Sequence, residues 1–408
     1  MNLLIFLIIG IILCLLFPNA MKVIIGTTLA VLLLVVLFLH GELSSTIQTV
    51  LILGGLLILL FVGLFFKVIY DSGKNFDKMN STKIAMQNKN HNQSNMKKPP
   101  QDELVKFNVN YPQDTVFTAN ARLLQSQWRD KKEYPIGTYL NHKTKTKISC
   151  GNLLDENFAK EKKANFLTEN IKNLVTQEVE KSKKTDALIS EPRIWNNLLS
   201  SQPLCFNLFG ELYFDLNLAT KFFQDLFPER IDSVMAIRFE YSPGRKNPNY
   251  LNDRSAFDVF VEYTKDNKKG FIGIEVKYQE SLREESKTKA EENFVKNGER
   301  YTYWTDKSNV FKPNSIEFLK QPPISQIWRD HLLCFATKQD YEEGFFVFLY
   351  PEKNSHCQEG VDNYKQFLMF DNEEQNCFYP RTLEMFFNTL ANHSTADWVT
   401  ELKQRYEV

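Results

Sequence analysis

The 408 residues contain no C-x-x-C pair. Neither the six cysteines (Cys14, Cys150, Cys205, Cys334, Cys357 and Cys377) nor the six histidines fall at a zinc-site spacing, and the cysteines read as reduced cytosolic thiols. Charge of one sign is lacking too: 49 basic residues balance 49 acidic ones. With no global basic field to recruit nucleic acid, any binding to it must come from a local cleft and from metal.

Apolar runs, by contrast, crowd the first seventy residues: Leu3 to Phe17, Val23 to Leu39 and Val50 to Phe66. The second and third carry no charge and reach or approach the ~20 residues needed to cross a bilayer. The first is shorter and lacks the basic n-region of a signal peptide. These runs predict three transmembrane helices over residues 1–70. Lys22 lies in the first loop, the second loop has Glu42 and no Lys or Arg, and Lys67, Lys74 and Lys78 follow the third run. This asymmetry predicts a multi-pass protein of the cytoplasmic (inner) membrane with the first loop and everything after residue 67 in the cytoplasm and the N-terminus outside. Residues 71–103, rich in Asn, Gln, Ser and Lys, read as a flexible cytoplasmic linker. Residues 104–408 are long enough for a sizeable core and read as the domain that holds the chemistry.

Within that domain, residues 255–263 and 271–278 alternate around the turn-rich "KDNKK", which predicts a β-hairpin. Its core face takes Phe257, Val259, Val261 and Tyr263 with Ile272, Ile274, Val276 and Tyr278. The other face takes Asp258, Phe260 and Glu262 with Gly273, Glu275 and Lys277. With the turn centred near residues 267 and 268, Asp258 lies opposite Lys277 and diagonal to Glu275, and diagonal neighbours are ~7–8 Å apart. Two carboxylates converging from that separation can share a divalent cation, and oxygen-only ligation with open water positions suits Mg²⁺ or Mn²⁺. Lys277 can then orient a water or stabilise charge developing on a phosphate, while Gly273 leaves room for a ligand. Glu-x-Lys alone is a weak signal, since the acidic-x-Lys pattern recurs at Asp130, Glu161, Asp266, Glu285 and Glu401 on what read as solvated faces. The alternative for the trio is a cross-strand Asp258–Lys277 salt bridge.

Around the hairpin, "NLFGELYFDLNLATKFFQDLF" (207–227) predicts a helix, "DSVMAIRFEYSP" (232–243) a strand, "ISQIWRDHLLCFATK" (324–338) a helix and "GFFVFLYP" (344–351) a buried strand. In this order the chain resembles the PD-(D/E)XK nuclease superfamily. "FTANARLLQSQWRD" (117–130), "CFNLFGEL" (205–212), "RSAFDVFVEY" (254–263), "GIEVKYQES" (273–281) and "QIWRDHLL" (326–333) are similar to a bacterial group of restriction endonucleases within it. The resemblance covers residues 115–390, excludes the three apolar runs, and departs from the usual pattern where Phe257 replaces a proline. It implies an α/β fold, a restriction-endonuclease-like αβββαβ core with helical additions, here preceded by three transmembrane helices. It implies Asp258 and Glu275 as Mg²⁺ ligands and Lys277 as the water-positioning base or charge stabiliser. Glu240 is a candidate third acid and Glu211 an alternative to it, while Glu280 is a candidate outer-sphere acid. Gln326 and Arg329 share one side of their helix and are candidates for touching the substrate or bracing the Glu-x-Lys strand. Ile324, Ile327, Trp328 and Phe335 form that helix's buried stripe, and the highly charged residues 282–300 read as an exposed helix or loop.

The function expected from these features is a membrane-anchored, Mg²⁺-dependent endonuclease that hydrolyses DNA phosphodiester bonds in restriction or anti-phage defence. Its partners would be DNA and the lipid bilayer, with a homodimer allowed. The competing expectation is a non-cleaving nucleic-acid sensor that controls a membrane-disrupting effector. The intact Asp–Glu–Lys trio argues against loss of cleavage, and the absence of charge within the apolar runs argues against an ion pathway.

Overall fold

The computed structural model describes residues 96–408 apart from 142, 186–188 and 283–286. An antiparallel pair, β1 (Ile136–Asn141) and β2 (Thr146–Leu154), precedes the main sheet. That sheet has five strands in spatial order: β3 (Ser233–Tyr241), β4 (Phe257–Lys265), β5 (Lys268–Val276), β6 (Glu343–Tyr350) and β7 (Phe378–Thr382). Strands β3 to β5 form an antiparallel meander, and β5 to β7 run parallel. The longer helices are α1 (Val116–Lys131), α2 (Glu169–Thr185), α3 (Ser201–Phe214), α4 (Leu216–Leu226), α5 (Lys287–Ser308), α6 (Ser325–Thr337), α7 (Ser355–Lys365), α8 (Leu383–His393) and α9 (Asp397–Tyr406).

Helices cover both faces of the sheet, as its parallel half requires. On one face Val259, Val261, Ile272, Ile274 and Val276 pack with Leu208 of α3, Phe222 of α4 and Phe386 of α8. On the other, Phe257, Phe260, Phe271 and Phe346 pack with Trp304 of α5 and with Trp328 and Leu332 of α6. The hairpin's charged face is therefore an interior face. Asp258, Glu275 and Lys277 sit where that second apolar layer gives way to a cavity.

The hairpin is tighter than its sequence suggests. Asp266 and Asn267 alone form the turn, both with positive φ (49° and 62°), and Lys265 pairs with Lys268. Two-residue loops of this kind match the natural strand twist, and Asp and Asn tolerate the left-handed conformation they need. Val259 consequently pairs with Ile274 and Phe260 with Gly273, so the next position across from Asp258 is Glu275 and not Lys277. Moving the pairing by two residues leaves every side chain on its expected face.

Phe257 is the exception. Its ring crosses to the second layer and lies over Gly273, where a Cβ would come within 2.3 Å of it. The space that Gly273 opens is thus filled by a neighbouring ring and not by a ligand. Gly273→Ala is expected to cost about 1–3 kcal/mol through overpacking, read as a lowered Tm in thermal unfolding. An unchanged Tm would mean that the Phe257 ring can move aside.

The expected helix over 207–227 is two helices. Asp215 closes α3 through its N–H to the Glu211 carbonyl, and its carboxylate accepts the Leu218 N–H at 2.9 Å to cap α4. Strand β7 extends the expected core by one parallel strand beyond β6.

The expected fold is also corrected in its membrane part. No helix among the described residues is long and apolar enough to cross a membrane. The longest, α5, has 22 residues but carries Lys287, Lys289, Glu291 and Glu292 in its first turns. The largely buried α3 has only 14 residues, short of the ~20 a bilayer needs. On the described residues, therefore, neither the expected multi-pass inner-membrane protein nor a fold with three transmembrane helices is supported. The apolar runs on which they rested, and nearly all of the expected linker, lie outside the described residues.

Candidate active site

A solvent-open cavity of about 690 Å³ lies at the start of β4 and the end of β5, walled by the start of α3, the loop before β4, the start of α5, and α6. Asp258, Glu275, Lys277, Glu240, Gln326 and Arg329, all singled out from the sequence, line it together.

Glu275 and Lys277 form the floor, with only 5% and 7% of their surface exposed. The Lys277 ammonium donates to Glu275 Oε1 at 2.6 Å and to Gln326 Oε1 at 3.1 Å, and Gln326 Nε2 donates to the same Glu275 oxygen at 2.7 Å. Gln326 thus braces the Glu-x-Lys segment. The ion pair of Lys277 is with Glu275 and not with Asp258. Asp258 Oδ2 accepts the Val276 N–H at 2.8 Å, which fixes the carboxylate against β5.

The electrostatics follow from crowding acids in a half-buried space. Burial first, then the charges of Glu275 and Glu240, push the Asp258 carboxyl well above its usual range. Burial likewise pushes Glu240 up to about 7; the hydrogen bond from Gln202 Nε2 opposes this and the charge of Glu275 adds to it. Glu240 also sits at φ 47°, a left-handed conformation uncommon for a residue with a side chain, within a strand that aims it at the other acids. Burial disfavours the Lys277 ammonium, but the carboxylates of Glu275, Asp258 and Glu280 outweigh it and hold the group protonated above its ordinary value.

Two expected acids are placed elsewhere or otherwise employed. Glu280 lines the cavity, but its Oε1 accepts the Ser201 N–H at 3.1 Å at the start of α3, and its Oε2 accepts the Tyr278 N–H at 2.8 Å. Glu211 lies away from the cavity, accepting from the Thr168 hydroxyl and from Asn170 Nδ2 at the start of α2. In its place the structure brings in Asp330 of α6, 6% exposed, with Oδ2 making no hydrogen bond. Burial and the charge of Glu275 push its carboxyl well above the usual range, against the pull of Arg329. Asp330 follows Arg329 directly in "QIWRDHLL", and nothing in that string distinguishes it from a solvated aspartate. Gln202, which holds Glu240, gave no signal either.

These shifts predict a pH dependence. Each of the three raised carboxyls binds its proton more tightly folded than unfolded, so folding gains from low pH and loses that contribution as pH rises, for Glu240 through about 7. His331, buried and held by the Tyr364 hydroxyl at 2.8 Å, acts in the opposite direction. Burial lowers it to about 3, so its contribution is present above ~6.5 and fades as pH falls toward 3. In chelator, Tm is expected to rise from pH 8 to pH 6, and Glu240→Gln to flatten that rise near pH 7. A Tm that falls monotonically over this range in the parent protein would show that the acids do not crowd one another.

Among the described residues no three His, Cys, Asp or Glu side chains form a ready metal-binding group. The structure offers a pair, Asp258 and Glu275, whose second oxygens (Oδ1 and Oε2) accept no hydrogen bond among those residues and border the cavity. That donor set fits a hard divalent cation that keeps several waters.

The family model of the PD-(D/E)XK nuclease superfamily matches residues 112–407. No curated protein and no solved structure matches the chain.

Proposed function

The chain belongs to the PD-(D/E)XK nuclease superfamily, and from that membership and the cavity's chemistry we propose that it is a metal-dependent endonuclease hydrolysing DNA phosphodiester bonds. The observation that carries this reading is the convergence of Asp258, Glu275, Lys277 and Glu240 on one solvent-open cavity. We assign residues 104–408 as the catalytic unit.

Asp258 Oδ1 and Glu275 Oε2 would hold Mg²⁺ or Mn²⁺, which when bound supplies an acidified water and charge stabilisation at the phosphate. Lys277 acts as a donor and not as a base, because the surrounding carboxylates keep its ammonium protonated. Fixed by Glu275 and Gln326, it presents positive charge where charge grows on the phosphate oxygens. Glu240, poised near neutrality, is the group best suited to take the proton released by the attacking water. Gln326 is a positioning residue, and Arg329, which lines the same cavity, would meet a phosphate. Resemblance to restriction endonucleases makes restriction or defence the biological role we favour.

The test is cleavage by the full chain. Single- and double-stranded DNA are incubated with Mg²⁺ or Mn²⁺ and, in parallel, with EDTA. Fragments that appear only with metal are the expected result; intact DNA of every form with both metals would sink the reading.

A further inference from the structure

Resting on the nuclease reading above, we infer that the β1–β2 hairpin is an arm that binds duplex DNA, its free end entering the major groove beside the cleavage cavity. The root of the hairpin is fixed in the body. The Gly151 carbonyl accepts from Arg129 Nη1 at 2.9 Å, and the Gly151 N–H donates to the Asn108 carbonyl at 3.1 Å. Leu154 is fully buried, Leu153 bridges Asn197, and the Leu198 N–H donates to the Asn152 carbonyl at 3.1 Å. The segment joined there belongs to the cavity wall, which it lines with Arg193 on one side of the bridge and Ser201 on the other.

The free end is the opposite. Residues 138–140 and 143–149 are all exposed. Side chains alternate across a strand, so consecutive exposed residues mean that both faces of the ribbon meet solvent. Tyr139 pairs with Ile148 on one face and Leu140 with Lys147 on the other. Tyr139, Ile148 and Leu140 are 37%, 36% and 47% exposed, so neither face is covered by the body. A two-stranded hairpin left uncovered is marginally stable in water, and apolar side chains gathered on such a projection mark an interaction surface.

Charge and shape identify the partner. The chain as a whole is neutral, yet residues 136–154 hold Lys143, Lys145 and Lys147 and no Asp or Glu. No ion pair among the described residues involves these lysines. Thr138 pairs with Ser149 on the face of Leu140 and Lys147, adding hydroxyls of the kind that bond phosphate and sugar oxygens. Lipid tails would leave those hydroxyls unpaired, whereas a DNA groove offers them partners. Two strands ~4.8 Å apart make a ribbon that the ~12 Å major groove of B-DNA admits, while the deep, narrow major groove of duplex RNA does not. From the bridge at Leu153 back to Thr146 the strand spans about 23 Å, so its contacts extend well beyond the phosphate at Lys277.

The experiment reads DNA binding by the full chain in EDTA, where cleavage plays no part. Lys143→Gln, Lys145→Gln and Lys147→Gln are combined in one variant. Its affinity for a fluorescein-labelled duplex is expected to fall about ten-fold or more. The slope of log K against log salt should become shallower by about 2–3, at ~0.9 per lost phosphate contact. Arginine at the same three positions is expected to keep both affinity and slope. Because the three side chains are exposed, the Tm should not move; if the triple variant unfolds, Lys147→Glu alone is expected to weaken binding in the same way. In the parent complex, guanine N7, which lies in the major groove, should be protected from dimethyl sulfate, and the triple variant should lose that protection. Unchanged affinity and slope in the folded variant, or no N7 protection in the parent complex, would overturn the inference. Lysine-dependent binding to phosphatidylserine vesicles with DNA binding unchanged would overturn it as well. Arm-dependent DNA binding without metal-dependent cutting would leave it standing and overturn the nuclease reading instead.

Discussion

Lys277→Met should both abolish cleavage and loosen the fold. The ammonium and the Glu275 carboxylate it contacts at 2.6 Å are side chains only 9% and 7% exposed. Removing one member of such a buried pair costs about 3–5 kcal/mol, which at about 2–4 °C per kcal/mol lowers the metal-free Tm by about 10 °C. Gln326 keeps its donor on Glu275 but loses the proton that Lys277 gave to its carbonyl oxygen, so the brace is lost along with the charge. Cleavage should fall by about 10³-fold or more, the scale on which removing a preorganised donor acts. Lys277→Arg separates the two roles. It keeps a charge against Glu275 and should recover much of the Tm, but a planar fork cannot reproduce a compact ammonium pinned between two side chains, so cleavage should stay lost. Thermal unfolding and a cleavage assay on the same samples check both. Recovery of cleavage in Lys277→Arg would make the pair structural and its particular chemistry irrelevant.

Much of this site can be read from the sequence because the strands impose a period of two. Alternation alone puts Asp258, Glu275 and Lys277 on one face, and a two-residue error in the pairing does not move them off it. The same rule fails for Phe257, whose ring crosses to the other layer because Gly273 leaves a hollow there. Nor does alternation fix the register: the turn closes on Asp266 and Asn267, which puts Glu275 across from Asp258. In α6 the periodicity identifies Ile324, Ile327, Trp328 and Phe335 as buried, and they are, but Asp330 and His331 are buried as well. Helix spacing cannot foretell a helix enclosed on nearly all sides.

The residues that tune the site depend on contacts far apart in the chain. Gln202 reaches Glu240 across 38 positions, and Asp330 feels Glu275 through space. Neither contact leaves a local pattern. Glu211 shows the reverse case, an acid on the right helix that is engaged by Thr168 and Asn170 and does not line the cavity. The charged stretch 282–300 belongs largely to α5, whose Trp304 and Tyr301 anchor it on the sheet while Lys289 and Asn293 face the cavity.

Asp258→Asn should stabilise the metal-free protein while destroying its response to metal. Asparagine keeps an oxygen for the Val276 N–H and removes a carboxylate that burial, Glu275 and Glu240 all oppose in its charged form. Relief of that repulsion should raise the metal-free Tm by a few degrees at pH 7.5, against the usual direction of a point mutation. The parent protein, in turn, should gain about 2.7 kcal/mol from Mg²⁺ at one hundred times its dissociation constant, seen as a clear upward shift in Tm.

The most direct test of a shared cation at Asp258 and Glu275 is therefore one paired measurement on the full chain, Tm with and without Mg²⁺ for the parent and for Asp258→Asn, with cleavage followed in the same tubes. A shared cation requires that the variant start higher, gain nothing from Mg²⁺ and cut no DNA, whereas the parent starts lower, rises with Mg²⁺ and cuts. A variant that starts lower than the parent and still gains as much from Mg²⁺ would contradict it.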